Sequence, residues 1–185
     1  MAPISHERMR WICCSRLSSV LGFNSLFRKA LIGLEYALFR KGPLTMSPSQ
    51  LGAFVKSDPA LDTPDLEYHI QPLSTDKLGE ALHPFPGFTA SVCNLRPVSR
   101  GTVGLRSADP RAKPLIRPNY LSAPEDRAVA VRAMQITRDI VFNSRALSRF
   151  EPEEYKPGPS VRSEAEMLAA VGDLASTIFH PVGTC

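Results

Sequence analysis

A histidine near the end of the sequence has the residue type and the setting that proton transfer requires. His180 follows Phe179 and precedes Pro181, with Gly183 two residues further on. Proline restricts the backbone, so the imidazole is attached to a segment with few accessible conformations. An unperturbed pKa of about 6.5 lets a histidine act as acid or base near neutral pH. His180 is therefore a candidate general base; the alternative is a partly buried histidine that hydrogen-bonds to a loop.

Two further residues with binding chemistry lie in the stretch 66–71, LEYHIQ. Apolar and polar residues alternate there, which predicts a strand with one apolar and one polar face. His69 and Gln71 lie on the polar face, together with Glu67. If this face lines a pocket, His69 and Gln71 are candidates for substrate binding. If the strand is half-buried in the usual way, the same side chains contact water, and the alternation favours this second interpretation.

Two motifs indicate a family. The run 179–185, FHPVGTC, resembles the signature of the glucose-methanol-choline (GMC) oxidoreductases, flavoenzymes that oxidise alcohols. A second motif resembles the opening of that family's C-terminal segment, in its choline and alcohol dehydrogenase branch. The likeness runs from about Asn24 to Cys185, and the motifs come in the family's order. The second motif comprises Leu95, Arg96, Pro97, Ser99, Arg100, Gly101, Val103, Leu105, Ser107, Asp109, Pro110, Pro114, Ile116, Pro118, Asn119, Tyr120 and Leu121.

The resemblance implies a reaction and a role for His180. In the family, a hydride leaves the alcohol carbon for N5 of the flavin while a base accepts the hydroxyl proton. By motif position, His180 is that base, or the group that stabilises the developing alkoxide, about 3 Å from the substrate oxygen. The implied substrate is a small alcohol. The implied cofactor is FAD, which carries the electrons while the protein orients the substrate.

The flavin-binding half of the family is not recognisable in this sequence. A dinucleotide-binding fold is marked by GxGxxG between a strand and a helix, and the sequence contains no such run. The family's second catalytic His or Asn comes several tens of residues after the His180 motif, beyond Cys185. We therefore expect a piece of an FAD-dependent oxidoreductase acting on CH–OH groups, without its Rossmann-like domain and inactive alone, either as a fragment or as one chain of a split enzyme whose partner is a separate flavin-binding chain. The alternative is an inactive remnant or an interaction module that lacks flavin.

Composition excludes several other classes of protein. No stretch approaches the twenty or so apolar residues that a membrane span needs. The net charge is +4, but residues 1–41 hold seven basic and two acidic side chains, so the basic character belongs to the N-terminal part. No basic stripe with stacking aromatics is present, which argues against nucleic-acid binding. The cysteines lack metal-ligand spacing, so we predict no metal site, reduced thiols and a cytoplasmic location. They are Cys13, Cys14, Cys93 and Cys185.

The sequence predicts both strands and helices as the elements that position these residues. Consecutive strands are joined by turns rather than by crossover helices, which predicts an antiparallel β-sheet backed by helices, an α+β fold. This agrees with the substrate-binding domain of the resembled family. The expected order is an amphipathic helix over 24–41 that packs on the sheet, strands at 53–55, 66–71 and 88–95, a return strand at 102–107, and helices at 122–143 and 163–174.

Three local signals give finer expectations. Ser99, Arg100 and Gly101 read as a hairpin turn in which the glycine takes a positive φ. Ser122 and Ser163 each stand three residues before a glutamate, which predicts a capping box at the start of both later helices.

The expected domain division follows the resemblance. Residues 1–20 do not match the family and are predicted to be a disordered arm. Residues 21–185 are predicted to be a GMC-type substrate-binding domain, with the family's C-terminal segment starting at about residue 95 and truncated at its end.

Overall fold

The structure is a computed structural model, which describes residues 2–5, 9–16, 25–47, 49–76 and 80–177. Within these residues the chain forms nine strands, four α-helices and one 3-10 turn, Pro43–Thr45. In chain order they are β1 (Ala2–Ser5), β2 (Met9–Arg16), α1 (Leu26–Phe39), β3 (Leu51–Val55), β4 (Leu66–Gln71), β5 (Gly87–Asn94), β6 (Arg100–Gly104), β7 (Leu115–Arg117), α2 (Pro124–Asn143), α3 (Arg145–Ser148), β8 (Glu153–Lys156), α4 (Glu164–Leu174) and β9 (Ser176–Thr177).

The strands form two antiparallel sheets. The larger sheet has the order β3-β4-β5-β2-β8, and the short strand β9 also pairs with β2. The smaller sheet has the order β1-β6-β7. The strands β3, β4 and β5 follow one another in sequence and in space, as strands joined by turns do. The prediction of an α+β fold with an antiparallel sheet backed by helices is confirmed.

One face of β4 and β5 packs against α2 and α4 to form the core. Leu66 and Tyr68 of β4 and Val92 of β5 are buried against these helices. The helices contribute a stripe of small and flexible apolar side chains: Ala130, Val131, Ala133, Met134, Met167 and Val171. Alternation along β4 therefore turns its apolar residues towards the helices and its polar residues to the opposite face.

The two predicted capping boxes have different outcomes. At α4 the box is present: the Glu166 amide donates to Ser163 Oγ, and the Ser163 amide donates to the Glu166 carboxylate. The amides of Ser163 and Arg162 hold the pKa of Glu166 below its usual value. At α2 the prediction is wrong, because Ala123 is the N-cap and makes no side-chain cap, while Pro124 begins the helix.

Residues 1–20 differ from the expected disordered arm. Residues 9–16 form β2, which pairs with β5 and β8, and residues 2–5 form β1, which pairs with β6. The physical reason is long-range pairing: β5 would otherwise have an open edge, and β2 satisfies its main-chain groups. A four-residue apolar run was too short to predict this strand from local pattern alone. The domain boundary after residue 20 remains a prediction.

The predicted hairpin at 99–101 is also wrong. β6 leaves the sheet of β5 and pairs with β1 and β7 instead. Gly101 is needed for close approach rather than for a positive φ: a Cβ there would overlap the main-chain oxygens of Arg117 and Pro118. The link between β5 and β6 is held by α2, where the Asp126 carboxylate accepts hydrogen bonds from the Val98 and Ser99 amides at 2.9 and 2.8 Å.

Helix α1 forms at the predicted place, but it does not bury a face on the sheet. It packs against the 3-10 turn Pro43–Thr45 through its partly buried side, which includes Ile32 and Tyr36. None of its residues is buried. Its more apolar arc is exposed, with Leu26 at 82%, Phe27 at 71% and Leu38 at 64% exposure.

Candidate functional site

The candidate site among the described residues is the polar face of β4 and β5, which carries His69 and Gln71. In the antiparallel register, His69 is opposite Ser91 and Gln71 is opposite Thr89. Residues directly opposite in such a pair share a face of the sheet, with their Cβ atoms about 5 Å apart. This face lies opposite the one that packs on α2 and α4.

His69 is partly accessible and has an acidic neighbour. Its Nε2 lies 3.5 Å from Glu67 Oε1, two residues earlier on the same face. The His69 side chain is 35% exposed and that of Glu67 is 18% exposed. The pair therefore combines a hydrogen-bonding ring with a carboxylate that can orient it. A histidine held in this way can hydrogen-bond to a hydroxyl oxygen or hydrogen of a small molecule.

Gln71 is less accessible than the sequence suggested. Its relative exposure is 4%, so the expectation that this face contacts water does not hold at this position. The Gln71 Nε2 atom donates a hydrogen bond of 3.2 Å to Ser49 Oγ, which ties β4 to the segment before β3. The second amide hydrogen of the Gln71 side chain can donate a hydrogen bond, and its side-chain carbonyl oxygen can accept one.

The candidate base His180 lies outside the described residues. It follows β9 by three positions in the sequence, and β9 pairs with the first residues of β2. Its role therefore stays a prediction that rests on its motif.

A polar cluster that sequence analysis missed lies at the connection between β4 and β5. We call it the polar clasp; it consists of Ser74, Asp76, His83 and Lys156. His83 Nδ1 lies 2.7 Å from Ser74 Oγ, and His83 Nε2 lies 3.2 Å from Asp76 Oδ1. Lys156 Nζ donates to the same Asp76 oxygen and lowers the pKa of Asp76 below its usual value.

The setting of the polar clasp indicates a structural role. The His83 ring stacks on Phe85 at a centroid distance of 5.0 Å and meets Tyr155 edge-on at 4.9 Å. Ser74 is buried, so its hydroxyl is not presented to a substrate. The clasp joins the β4–β5 connection to β8. The sequence signal was the run HPFPG, which marks a turn and says nothing of the distant lysine.

The apolar face of the sheet bounds a separate cavity of about 360 Å³. It lies between β3, β4 and β5 on one side and α2 and α3 on the other, and its polar groups include Tyr68 and Thr137. Tyr68 Oη and Thr137 Oγ1 are 2.9 Å apart and bonded to each other. Because His69 and Gln71 face away from this cavity, it is not part of the candidate site.

The described residues do not form a cradle for a dinucleotide. All strand pairs among them are antiparallel, whereas a dinucleotide site uses parallel strands with a glycine-rich turn into a helix. The turns that precede α2 and α4 are not rich in glycine: residues 118–123 contain none, and residues 157–163 contain Gly158 alone. Nor is any helix in this part of the chain long and apolar enough to cross a membrane.

Comparison with known proteins identifies the family. Residues 97–185 match the family model described as GMC oxidoreductase. An alcohol dehydrogenase [acceptor] from Pseudomonas putida is 38% identical over 97% of this chain. The chain belongs to the GMC oxidoreductase family. An oxygen-dependent choline dehydrogenase from Brucella ovis is 36% identical over 93% of the chain, so both branch names predicted from the motifs recur among its relatives.

A solved structure has the same fold. The formate oxidase of Aspergillus oryzae, solved in a study of FAD modification, superposes on this chain with a TM-score of 0.83 at 22% identity. The match covers 97% of this chain and 36% of the formate oxidase. The chain likewise spans about a third of the length of the curated relatives it matches, 33% for the Pseudomonas enzyme and 31% for the Brucella enzyme.

Proposed function

We propose that this chain is the substrate-side part of an FAD-dependent oxidoreductase that acts on CH–OH groups of small alcohols. The observation that carries the proposal is the 38% identity to an alcohol dehydrogenase over nearly the whole chain. The partly exposed His69 on a polar sheet face supports it, because its ring nitrogens can hydrogen-bond to an alcohol oxygen.

In this proposal the residues of the chain handle the alcohol and its proton. His180 accepts the hydroxyl proton, since a neutral imidazole is a suitable base near neutral pH. His69 and Gln71 bind the substrate oxygen from β4, and Glu67, 3.5 Å from His69 Nε2, orients the ring. FAD, when bound, supplies the electron acceptor. A cytoplasmic location is part of the same proposal.

We propose that FAD is bound by a separate flavin-binding chain and that this chain is inactive without it, as the family resemblance implies. Helix α1 is the proposed docking surface for that partner, because its arc of apolar side chains is exposed and the chain spans a third of its relatives. A large exposed apolar patch generally marks a binding surface.

The catalytic part of the proposal is tested by reconstitution. The chain is co-produced with a flavin-binding polypeptide of the GMC family, and dye-linked oxidation of primary alcohols is measured. We expect His180→Ala to lower the rate about a hundredfold or more while the complex keeps its flavin absorbance. His6→Ala is the matched control and should keep full activity. Full activity of His180→Ala would remove the base assignment.

The docking part has its own test. Leu34→Glu places a charge in the exposed arc of α1, where Leu34 is 54% exposed. We expect it to abolish co-purification of the flavin-binding chain and to leave the melting temperature of the isolated chain unchanged. Leu105→Glu, at a position 90% exposed outside α1, is the control and should co-purify normally. Normal co-purification of Leu34→Glu would contradict docking at α1.

A further inference from the structure

The cavity between the larger sheet and the end of α2 interrupts an otherwise packed face of the sheet. At one end of this face, Leu66 belongs to the core cluster with Met134 of α2 and Val171 of α4. At the other end, α2 contributes Thr137 and Val141, and a space of about 360 Å³ remains. Protein interiors are close-packed and seldom keep a void larger than a water molecule, so a space of this size calls for an explanation.

The cavity is deep, and it opens to solvent. Four of its lining residues have at most 3% exposure and form its floor: Tyr68, Ala90, Thr137 and Val141. At its rim, Leu51 is 66% exposed and Ile140 is 43% exposed. A small molecule can therefore enter at the rim and contact buried side chains without any opening of the core.

The chemistry of the lining defines the kind of molecule that fits. None of the described residues that line the cavity carries a charge, and the walls include the rings of Phe88 and Phe150. The hydroxyls of the floor are bonded within the protein: Thr137 Oγ1 donates to the Ala133 carbonyl oxygen at 2.7 Å and lies 2.9 Å from Tyr68 Oη. An ion or a strongly polar group would lose its hydration there without compensation, so the lining suits an uncharged apolar molecule.

A second apolar cavity, of about 380 Å³, lies between α1 with the 3-10 turn and the connection from β4 to β5. It is shallower: Leu44 is 58% exposed, Met46 and Leu82 are each 40% exposed, and none of its described lining residues is buried. Lys29 also adds a charge to its lining. A ligand site buries most of its ligand, so this groove is a weaker candidate and provides a control.

We propose that the cavity between β3–β5 and α2 is a binding site for a small uncharged apolar molecule, aliphatic or aromatic. Its volume lies within the range of about 300–1,000 Å³ that small-molecule sites occupy. The ligand is held by burial of apolar surface, with no covalent step. Because His69 is on the opposite face of the sheet, this ligand is not the alcohol of the proposed function, and the inference does not rest on that function.

The test measures binding of prodan, an uncharged naphthalene dye without a hydroxyl group. Its emission moves to shorter wavelength in apolar surroundings, and we expect a saturable shift when the full chain is titrated. Ala90→Leu fills the floor from β5, so it should weaken prodan binding about tenfold or more without lowering the melting temperature. Leu147→Trp narrows the cavity from the helical side and should weaken binding similarly, which gives a second variant that does not alter the sheet.

Two controls separate this site from the rest of the chain. Met46→Glu places a charge in the groove beside α1 and should leave the prodan affinity unchanged. Ala133→Leu enlarges a fully buried core residue that does not line the cavity. With no space to fill, it should lower the melting temperature by about 5 °C, in contrast to Ala90→Leu.

Several outcomes would overturn the proposal. These are equal prodan affinity in the wild type, Ala90→Leu and Leu147→Trp, loss of binding in Met46→Glu, and absence of saturable binding, which would mean that the chain itself fills the space. Binding that fades as sedimentation shows dimer formation would assign the space to a second copy and also overturn it. The His180 assignment is read from alcohol oxidation in the flavin complex, so either proposal can fail while the other holds.

Discussion

On one face of β4 and β5, Leu66 and Tyr68 are buried in an apolar cluster with side chains of α2 and α4. On the opposite face, His69 is a third exposed, and the buried Ser91 hydroxyl has no hydrogen-bond partner among the residues that the structure describes. The same two strands therefore have one face that packs against helices and one face that carries polar side chains. Stability is expected to depend on the first face and alcohol binding on the second, a division common in proteins whose sites retain unsatisfied groups.

The largest effect is expected on the packed face. Leu66→Ala removes a side chain with 0% exposure and leaves a cavity against α2 and α4, so the free energy of unfolding should fall by about 3 kcal/mol. Urea unfolding measures this change. Leu105→Ala, at a position 90% exposed, should alter it by less than about 0.5 kcal/mol. A small loss at Leu66 would mean that this face is not the core.

A smaller effect is expected at a polar link on the packed face. Tyr68 Oη lies 2.9 Å from Thr137 Oγ1, which in turn donates to the Ala133 carbonyl at 2.7 Å. Tyr68→Phe should therefore cost about 1 kcal/mol of unfolding free energy. A double-mutant cycle with Thr137→Val isolates the pair, and additive losses would show that the two hydroxyls do not interact.

The packed face was largely predictable from sequence, because its signals are local. The period of 66–71 assigned Leu66 and Tyr68 to the core face, and the Ser163 capping box located the start of α4. The strands at β3 and β5 also formed within two residues of their predicted bounds. Periodicity and caps depend on neighbouring residues, so a single sequence displays them.

The other features depend on residues far apart in the chain. Lys156 meets Asp76 across eighty positions, and β2 reaches β5 across a similar distance. Neither pairing changes the local pattern of apolar residues. Burial on the polar face was missed for the same reason: alternation assigned His69 and Gln71 to one face, but the degree of exposure of each depends on what packs beside it. The motif of His180 gave its proposed role through family resemblance, not through geometry.

The polar clasp offers a pH-dependent comparison with the packed face. Asp76 has a lowered pKa in the folded chain, chiefly through its hydrogen bond from Lys156, so its contribution to stability is present above the ordinary value of 3.8 and is lost as the pH falls below it. Asp76→Asn should destabilise the chain by less than about 1 kcal/mol at pH 6, because the pair is partly exposed. The difference from wild type should vanish at a pH well below 3.8.

Chemical unfolding at both pH values measures this effect. Asp109→Asn, in an exposed loop, is the control and should change the free energy of unfolding by less than about 0.5 kcal/mol. The packed-face variant Leu66→Ala should lose the same free energy at both pH values, since no titrating group is removed. A clasp variant whose deficit persists at low pH would indicate that Asp76 acts through packing instead of charge.

The smallest effect on stability is expected at His69. Its ring is 35% exposed and its contact with Glu67 is 3.5 Å, so His69→Ala should change the free energy of unfolding by no more than about 0.5 kcal/mol. If His69 binds the alcohol, the same variant should weaken 1-butanol binding about fivefold, the effect of one neutral hydrogen bond. His69→Gln keeps a hydrogen-bonding group and should recover part of that affinity. A loss of stability comparable to that of Leu66→Ala would place His69 with the structural residues and abolish the division between the two faces.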